Sequence, residues 1–584
     1  MKILMVAANA KFIHSSLALR SIQKYCEKYS VHINNLELTI NHNENQALKS
    51  IYEESPDVIA FSCYIWNMEM IEKLIPIIAK ILPDTKIILG GPEVSYNSEK
   101  LFEEIPQIDI VIEGEGEETW YELLEHYVDK SRELKQIDGI VYRDSSGDIR
   151  RNAPRMPLDL NKIPFVYDDI GKLDNRIIYY EASRGCPFSC QYCLSSIDKG
   201  VRFLELPRVC EDMKIFLDHE VKQVKFVDRT FNANIKYAIS IWEFLKKNDN
   251  GITNFHFEIA ADLMTEEALE CLKDARPNLF QFEIGVQSTN PDVLTAIQRK
   301  MDFEEVASVV NKIKSFGNIH QHLDLIAGLP KEDMDSFRKS FNDVIEIRPE
   351  KLQLGFLKVL KGSGLNRDAG KYGLIYKDIA PYEILYTKVL SYDEMLKLHS
   401  IEDMLDKFYN SGRFEYSMEY LFSLYPSPFD AMEDLALYWE ECGYHKVKHS
   451  KNAHYNILID FTKARTGANI ELMKELARFD LAIHEKLINI PKKLLTVDQG
   501  KYKEAIKEFY NNKDNIDKYL PQLSKFTSVQ INRMAHIEVF QFDLPSLTRT
   551  LDFANVSEEV TAIVFNYHNR DPLTSDADYN TIKF

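Results

Sequence analysis

The chain of 584 residues has no Lys- or Arg-rich block, and its 71 basic residues are outnumbered by 90 acidic ones, for a formal charge of −19. That balance disfavours a broad nucleic-acid-binding surface, which needs clustered cations to neutralise phosphates. No apolar run approaches the ~20 residues that a membrane-spanning helix requires. The opening stretch MKILMVAANAKF has the pattern of a β-strand and lacks the charged, apolar and small-residue sections of a signal peptide. Cysteine is scarce: eight in all, five of them isolated (Cys26, Cys63, Cys210, Cys271, Cys442). This excludes a disulfide framework and fits a reducing compartment in which thiols remain available to metal. The sequence thus reads as a cytoplasmic protein without internal repeats, long enough for about three domains.

Two stretches alternate apolar strands with helices. In the first, residues 1–135, the strands are KILMVAA, DVIAFSC, KIILGG and IDIVIEGEG, and the pattern predicts a parallel sheet with helices on both faces. Glycines collect at the carboxyl ends of those strands (Gly90, Gly91, Gly114, Gly116), where such sheets bind ligands. The first strand-to-helix turn, AANAKFIHSS, has no G-x-G-x-x-G and so argues against a dinucleotide site. Residues 136–175 read as a hairpin around Ser146-Gly147 and then a proline-punctuated linker. Residues 176–375 contain six strand–helix units, from IIYYEAS to LQLGFLKVL, which predict a full or partial parallel barrel with its chemistry at the strand ends. Residues 376–584 are mostly helical and close with two strand-like stretches, HIEVFQFDL and TAIVFNYH. The fold class is therefore α/β, with a mostly α C-terminal domain.

SRGCPFSCQYC follows the first barrel strand directly and holds Cys186, Cys190 and Cys193 in a C-x3-C-x2-C array. Three readings are open. Structural zinc needs a closed set of four ligands, for which Cys210 and His219 are the next candidates. Cys210 shares a helical apolar spacing with Val209, Met213, Phe216 and Leu217 and reads as core. Free thiols are a second reading. The third is a 4Fe–4S cluster held by three cysteines, which leaves one iron open to bind and activate a ligand.

The array resembles the signature of the radical S-adenosylmethionine (SAM) superfamily, C-x3-C-x-aromatic-C, with Tyr192 as the aromatic residue. The resemblance implies that SAM chelates the open iron and that one electron from the reduced cluster cleaves it to methionine and a 5′-deoxyadenosyl radical. The segment FEIGVQSTNPDVLTAIQRK resembles the family stretch in which a strand-end Gln meets the SAM ribose and an Arg twelve residues later its carboxylate. These positions are Gln287 and Arg299. By the same likeness Asp324 in HLDLIAGLP and Glu258 in FEI hold SAM, whereas FVDRTFN, with Asp228 and Arg229, lacks the family's glycines at the second strand. A barrel ion pair is the alternative role for Asp324 and Glu258.

A Rossmann-like domain ahead of such a barrel resembles the cobalamin-binding arrangement of class B radical SAM enzymes. The likeness is carried by NAKFIHSSLALRSI, FSCYIW, ILGGPEVSYN and VIEGEGEETW, and it implies that Ser62, Tyr64, Gly90, Gly91, Pro92, Glu93, Gly114 and Glu115 enclose cobalamin. The D-x-H-x-x-G signature of an axial histidine is absent, and His14 is the one nearby imidazole. The tail resembles an uncharacterised domain that accompanies a bacterial branch of this family. The resemblance as a whole implies methyl transfer to an unactivated carbon of a small-molecule or peptide substrate, with an electron donor such as flavodoxin or ferredoxin. Radical rearrangement, ring contraction, or a non-catalytic cobalamin or redox sensor are the alternatives.

Overall fold

The computed structural model describes residues 1–197, 200–488 and 490–584. They form two compact units: Met1–Ile319 with Gly328–Glu332 and Gly355–Val389, and His320–Ala327 with Asp333–Leu354 and Leu390–Phe584.

The first unit opens with strands β1 (Ile3–Asn9), β2 (Ile33–Thr39), β3 (Val58–Ser62), β4 (Lys86–Gly90), β5 (Ile110–Ile112), β6 (Ile140–Arg143) and β7 (Ile149–Arg151). Their order in the sheet is β2-β1-β3-β4-β5-β6-β7. The first five run parallel and the last two antiparallel. Every residue of β1 is buried because helices cover both faces. Val6 and Phe61 pack into one core, and Met5, Ala60 and Trp120 into the other. β2 (INNLELT) is an edge strand with two exposed asparagines, and the apolar run that marks the other strands is missing there. The hairpin around Ser146-Gly147 forms and extends this sheet as β6–β7, with Gly147 at φ +88°. The strand order reverses between β1 and β3, which opens a crevice at their carboxyl ends.

A second parallel group follows: β8 (Ile178–Tyr180), then β11 (Gln223–Phe226), β12 (Asn254–Ile259) and β13 (Phe280–Gln287), paired in that order. Between β8 and β11 lies an antiparallel hairpin of β9 (Ser183–Cys186) and β10 (Gly200–Phe203). These strands alternate strictly. Phe255, Phe257, Phe280 and Phe282 are fully buried, with Trp242 of the covering helix edge-on to Phe257 and tilted against Phe282. The opposite face carries Lys225, His256, Glu258, Gln281 and Glu283, so the inner wall is polar. Glu283 sits 3.0 Å from Lys225 Nζ and 3.2 Å from His256 Nε2. Burial would raise its pKa, but the two partners outweigh burial and hold it at about 2.

Strands β14 (His320–Ala327) and β15 (Lys351–Phe356) complete the six expected strand positions in chain order, with helix Met334–Glu346 between them. A short antiparallel pair, β16 (Ile375–Tyr376) and β17 (Ile384–Tyr386), belongs to the first unit. The second unit is mostly helical and ends in an antiparallel sheet of β18 (Ala535–Phe540), β19 (Thr561–Arg570) and β20 (Ala577–Ile582). β20 (ADYNTI) is a third strand where the sequence had suggested two; its residues are mostly polar and carry no apolar run. Among the described residues no helix is long and apolar enough to cross a membrane.

Candidate functional site: a cysteine loop, a barrel mouth and a shared cavity

The cysteine loop starts on the β9–β10 hairpin, where Cys186 lies opposite Gly200. Gly185 is required there: its φ is +105°, and a Cβ would lie 2.2 Å from the Gly200 carbonyl oxygen. Cys186 Sγ is 3.5 Å from Thr230 Oγ1, Cys190 is buried, and Cys193 is half-buried. The Cys193 amide donates to the Cys190 carbonyl at 3.1 Å, which closes the loop into a turn. Arg299 Nη1 lies 3.9 Å from Cys190 Sγ and 3.3 Å from Tyr192 OH. Burial pushes the Cys190 thiol up, and the guanidinium works against that shift. Among the described residues no three His, Cys, Asp or Glu side chains are set to hold one metal ion. A cubane cluster takes one thiolate per iron, so its ligands need not converge on a single point. Cys210 is half-buried, beside the buried stripe of helix Leu206–Asp218 and not within it.

At the barrel mouth two buried polar atoms have no partner among the described residues. Gln287 ends β13 at φ +73°, a region costly for a side-chain-bearing residue, and its Oε1 is buried and unbonded. Its amide folds back over Gly285, where a Cβ would come within 2.3 Å of Nε2. Arg299 donates from Nη2 to the Gly285 carbonyl, while its buried Nε has no partner. Orphaned buried donors and acceptors cost free energy unless a ligand satisfies them. They therefore fit a polar ligand such as SAM beside the cysteine loop. Glu258 lies one strand away, and burial raises its pKa. Asp324 lies on β14, in the second unit. Asp228 spends both oxygens on the chain ahead of Cys186, accepting from Ala182 N (3.0 Å) and Ser183 Oγ (2.5 Å). Burial raises its pKa to about 7.

A cavity of about 970 Å³ opens at the crevice between β1 and β3. The N-terminal sheet supplies one wall, including Ser62, Tyr64, Gly90, Gly91, Pro92, Gly114 and Glu115. The other wall comes from β8 and the cysteine hairpin, through Tyr179, Glu181, Arg184 and Gly185, and continues past Cys193 with Ser195 and Ile197. Arg229 also lines it. Tyr64 and Trp66 stack at 4.3 Å, and the indole N–H is fixed to the Ala8 carbonyl at 3.1 Å. Gly114, at φ +77°, has nothing within 4 Å of where a Cβ would point. A large cavity lined by glycine, alanine and serine at a strand-order switch fits a bulky cofactor whose body must approach backbone closely. His14 lines the cavity with its Nδ1 2.5 Å from Tyr179 OH, and burial lowers its pKa. Glu93 is not part of the lining; its carboxylate turns to Lys361 (3.0 Å) and Tyr382.

An ion cluster joins the two walls. Arg184 contacts Glu181 at 2.7 Å, Glu117 at 2.9 Å and Glu115 at 3.4 Å, and Arg202 pairs with Glu115. Burial opposes ionisation of both carboxyls, but Arg202 and Arg184 hold Glu115, and Arg184 with the Ser21 hydrogen bond holds Glu117, below the usual range. Nothing in the local sequence marks Arg184, Arg202, Glu117 or the anchoring role of Asp228, because each acts through a distant partner.

Residues 3–124 match the family described as B12 binding domain, residues 180–344 the Radical SAM superfamily, and residues 370–565 a protein family of unknown function, DUF4080. An uncharacterized methyltransferase of Pyrococcus horikoshii, PH0819, is 30% identical over 299 residues, 49% of this chain and 63% of that protein. The cobalamin-dependent radical SAM methyltransferase TokK of Streptomyces tokunonensis is 27% identical over 342 residues, 55% of this chain and 50% of TokK. The chain thus spans about half to just under two thirds of these curated relatives. Among solved structures, the cobalamin-dependent radical SAM enzyme OxsB superposes with a TM-score of 0.59 at 16% identity, over 88% of this chain and 84% of OxsB. The methyltransferase TsrM of Kitasatospora setae superposes with a TM-score of 0.55 at 17% identity, over 82% of this chain and 99% of TsrM. At such identities the likeness establishes the fold. By these matches the chain combines a B12-binding domain, a radical SAM domain and a C-terminal DUF4080 domain.

Proposed function

We propose that the chain is a cobalamin-dependent radical SAM methyltransferase acting on an unactivated carbon. One observation carries this reading: a single cavity has B12-domain strand ends on one wall and the cysteine hairpin of the radical SAM domain on the other. Two cofactors that share one chamber can act on one substrate in turn. Cys186, Cys190 and Cys193 would hold the 4Fe–4S cluster, and Tyr192, Glu258, Gln287 and Arg299 would border SAM. Ser62, Tyr64, Gly90, Gly91, Pro92, Gly114 and Glu115 would enclose cobalamin. When bound, the cluster and SAM supply hydrogen abstraction at carbon, and cobalamin supplies a transferable methyl group.

The protein's part is placement. Asp228 fixes the chain three residues ahead of the first cysteine by accepting two hydrogen bonds. Arg184 fixes the same hairpin to the B12 domain. The polar face of β11–β13, with Lys225, His256, Glu258 and Glu283, would orient a substrate. A low-potential donor such as flavodoxin or ferredoxin would deliver the electron, and the thiolates favour the reducing cytoplasm.

The test uses anaerobically reconstituted full-length protein with cobalamin, reductant and SAM labelled at its methyl group. The expected outcome is 5′-deoxyadenosine formation together with passage of the label to cobalamin. Cluster-loaded protein that cleaves SAM but takes up no cobalamin would sink the methyltransferase reading.

A further inference from the structure

The chain leaving β15 runs back over both cofactor-bearing regions. Residues 357–365 pass the B12-domain loop Gly90–Glu93 and then the cysteine loop. The Leu365 amide donates to the carbonyl of Gln191, the residue after Cys190, at 2.9 Å. Gly364 sits so close to that side chain that a Cβ would fall 1.9 Å from Gln191 Oε1. Gln191 is held from its other side as well, its amide donating to the Ile297 carbonyl at 2.9 Å. Two residues earlier, Gly362 (φ +83°) lies flat on Tyr96, where a Cβ would meet the ring at 2.5 Å. Tyr96 lines the shared cavity.

Lys361 then reaches Glu93 at 3.0 Å, with its ammonium 5.0 Å above the Tyr382 ring. Tyr382 donates its hydroxyl to the same carboxylate oxygen. Glu93 and Tyr382 are each only 5% exposed, so the carboxylate end of this contact is weakly screened, while Lys361 remains half-buried. The second pass of the segment is bonded to the first, through Val359 N to Tyr382 O (3.0 Å) and Ile384 N to Leu357 O (2.9 Å). A glycine at φ +83° whose side-chain position is taken by the Tyr96 ring, and a buried charge held by two donors, are specific requirements. A connecting loop free to wander would need none of them.

We propose that residues 357–386 form a positioning strap that sets the cysteine loop against the Gly90–Glu93 loop, with Glu93 as its anchor and not as a contact to cobalamin. The proposal rests on the methyltransferase reading, since it concerns how the two cofactors are held relative to each other. Glu93, Lys361, Tyr382 and Gln191 are positioning residues in this view.

The experiment uses the full chain carrying the cluster and cob(II)alamin, with pulsed electron paramagnetic resonance reading the dipolar coupling between Co(II) and the reduced cluster. Wild type must first load both groups; failure there counts against the underlying reading and not the strap. In Lys361→Met and Tyr382→Phe, iron content and cobalamin affinity should match wild type, while the coupling weakens or broadens. Lys361→Arg should restore it. Labelled-methyl transfer should fall by up to about a hundredfold, the cost of an ångström-scale misplacement. Tyr382→Phe removes one hydroxyl and keeps the ring, so it remains informative if Lys361→Met does not fold. Unchanged coupling in a variant loaded to wild-type levels overturns the proposal. So does Glu93→Gln with cobalamin affinity down more than about tenfold, or roughly 1.4 kcal/mol, and the coupling intact, because Glu93 would then be a ligand contact.

Discussion

Arg184 and Glu117 form an ion pair of 2.9 Å that ties the hairpin carrying Cys186 to the last strand–helix turn of the B12 domain. Glu117 is buried and also accepts from Ser21 Oγ at 2.9 Å, so the pair is fixed in geometry as well as charge. It joins the two walls of the cavity.

Arg184→Met should therefore destabilise the protein by about 3 kcal/mol, near the low end for a broken buried pair. The sign of its pH dependence is distinctive. In the wild type the depressed pKa values of Glu115 and Glu117 add stability above the usual value near 4.5, and this is lost as pH falls through the depressed values. In the variant burial would act on Glu117 against only the Ser21 and backbone hydrogen bonds, and its pKa should rise. Denaturant titrations between about pH 6 and pH 4 should show the gap between the two proteins narrowing on acidification.

Iron and sulfide analysis after anaerobic reconstitution should give one 4Fe–4S cluster in the wild type. Cys186→Ala, Cys190→Ala and Cys193→Ala should each lose it, and Cys210→Ala should keep it, since Cys210 sits on the helix Leu206–Asp218 away from the loop. Equal loss in Cys210→Ala would replace the open cluster with a four-thiolate site.

Arg299→Ala should weaken SAM binding with the cluster intact. A charge-assisted hydrogen bond contributes about 1.5–3 kcal/mol, which is roughly a ten- to hundredfold rise in dissociation constant. Isothermal titration of cluster-loaded protein measures it. Unchanged affinity in a destabilised variant would make Arg299 a brace for Cys190 and Tyr192 and nothing more.

Gln287→Gly separates strain from binding. Glycine adopts φ +73° freely, so the substitution relieves about 1 kcal/mol of backbone strain while removing the unbonded amide. The expected result is a melting temperature equal to or above that of the wild type, together with weaker SAM binding. A lower melting temperature with SAM affinity unchanged would show that the amide is structural.

His14→Ala should leave the Co(II) spectrum of bound cobalamin unchanged, because His14 is already engaged with Tyr179. Nitrogen hyperfine splitting present in the wild type and lost in the variant would identify His14 as the lower ligand.

The features readable without a structure were those whose spacing is short. The three cysteines span eight residues of one loop, and Gln287 and Arg299 are twelve apart on one strand-and-helix unit. The apolar runs of β1, β3 and β4 mark themselves because both sheet faces are covered. Edge elements do not: β2 and β20 carry too few apolar residues to stand out, since one side of each pairs with nothing.

The tertiary structure alone decided which residues hold the parts together. Asp228 lies 45 residues from Ser183, Arg184 lies 67 from Glu117, and Tyr382 lies 289 from Glu93. An isolated carboxylate in a sequence has no preferred partner, because a charge interacts with whatever folding brings within a few ångströms and not with its neighbours in the chain. For that reason the chemistry of the cofactor loops could be read from their residues, whereas the shared cavity and the braces around it followed only from long-range packing.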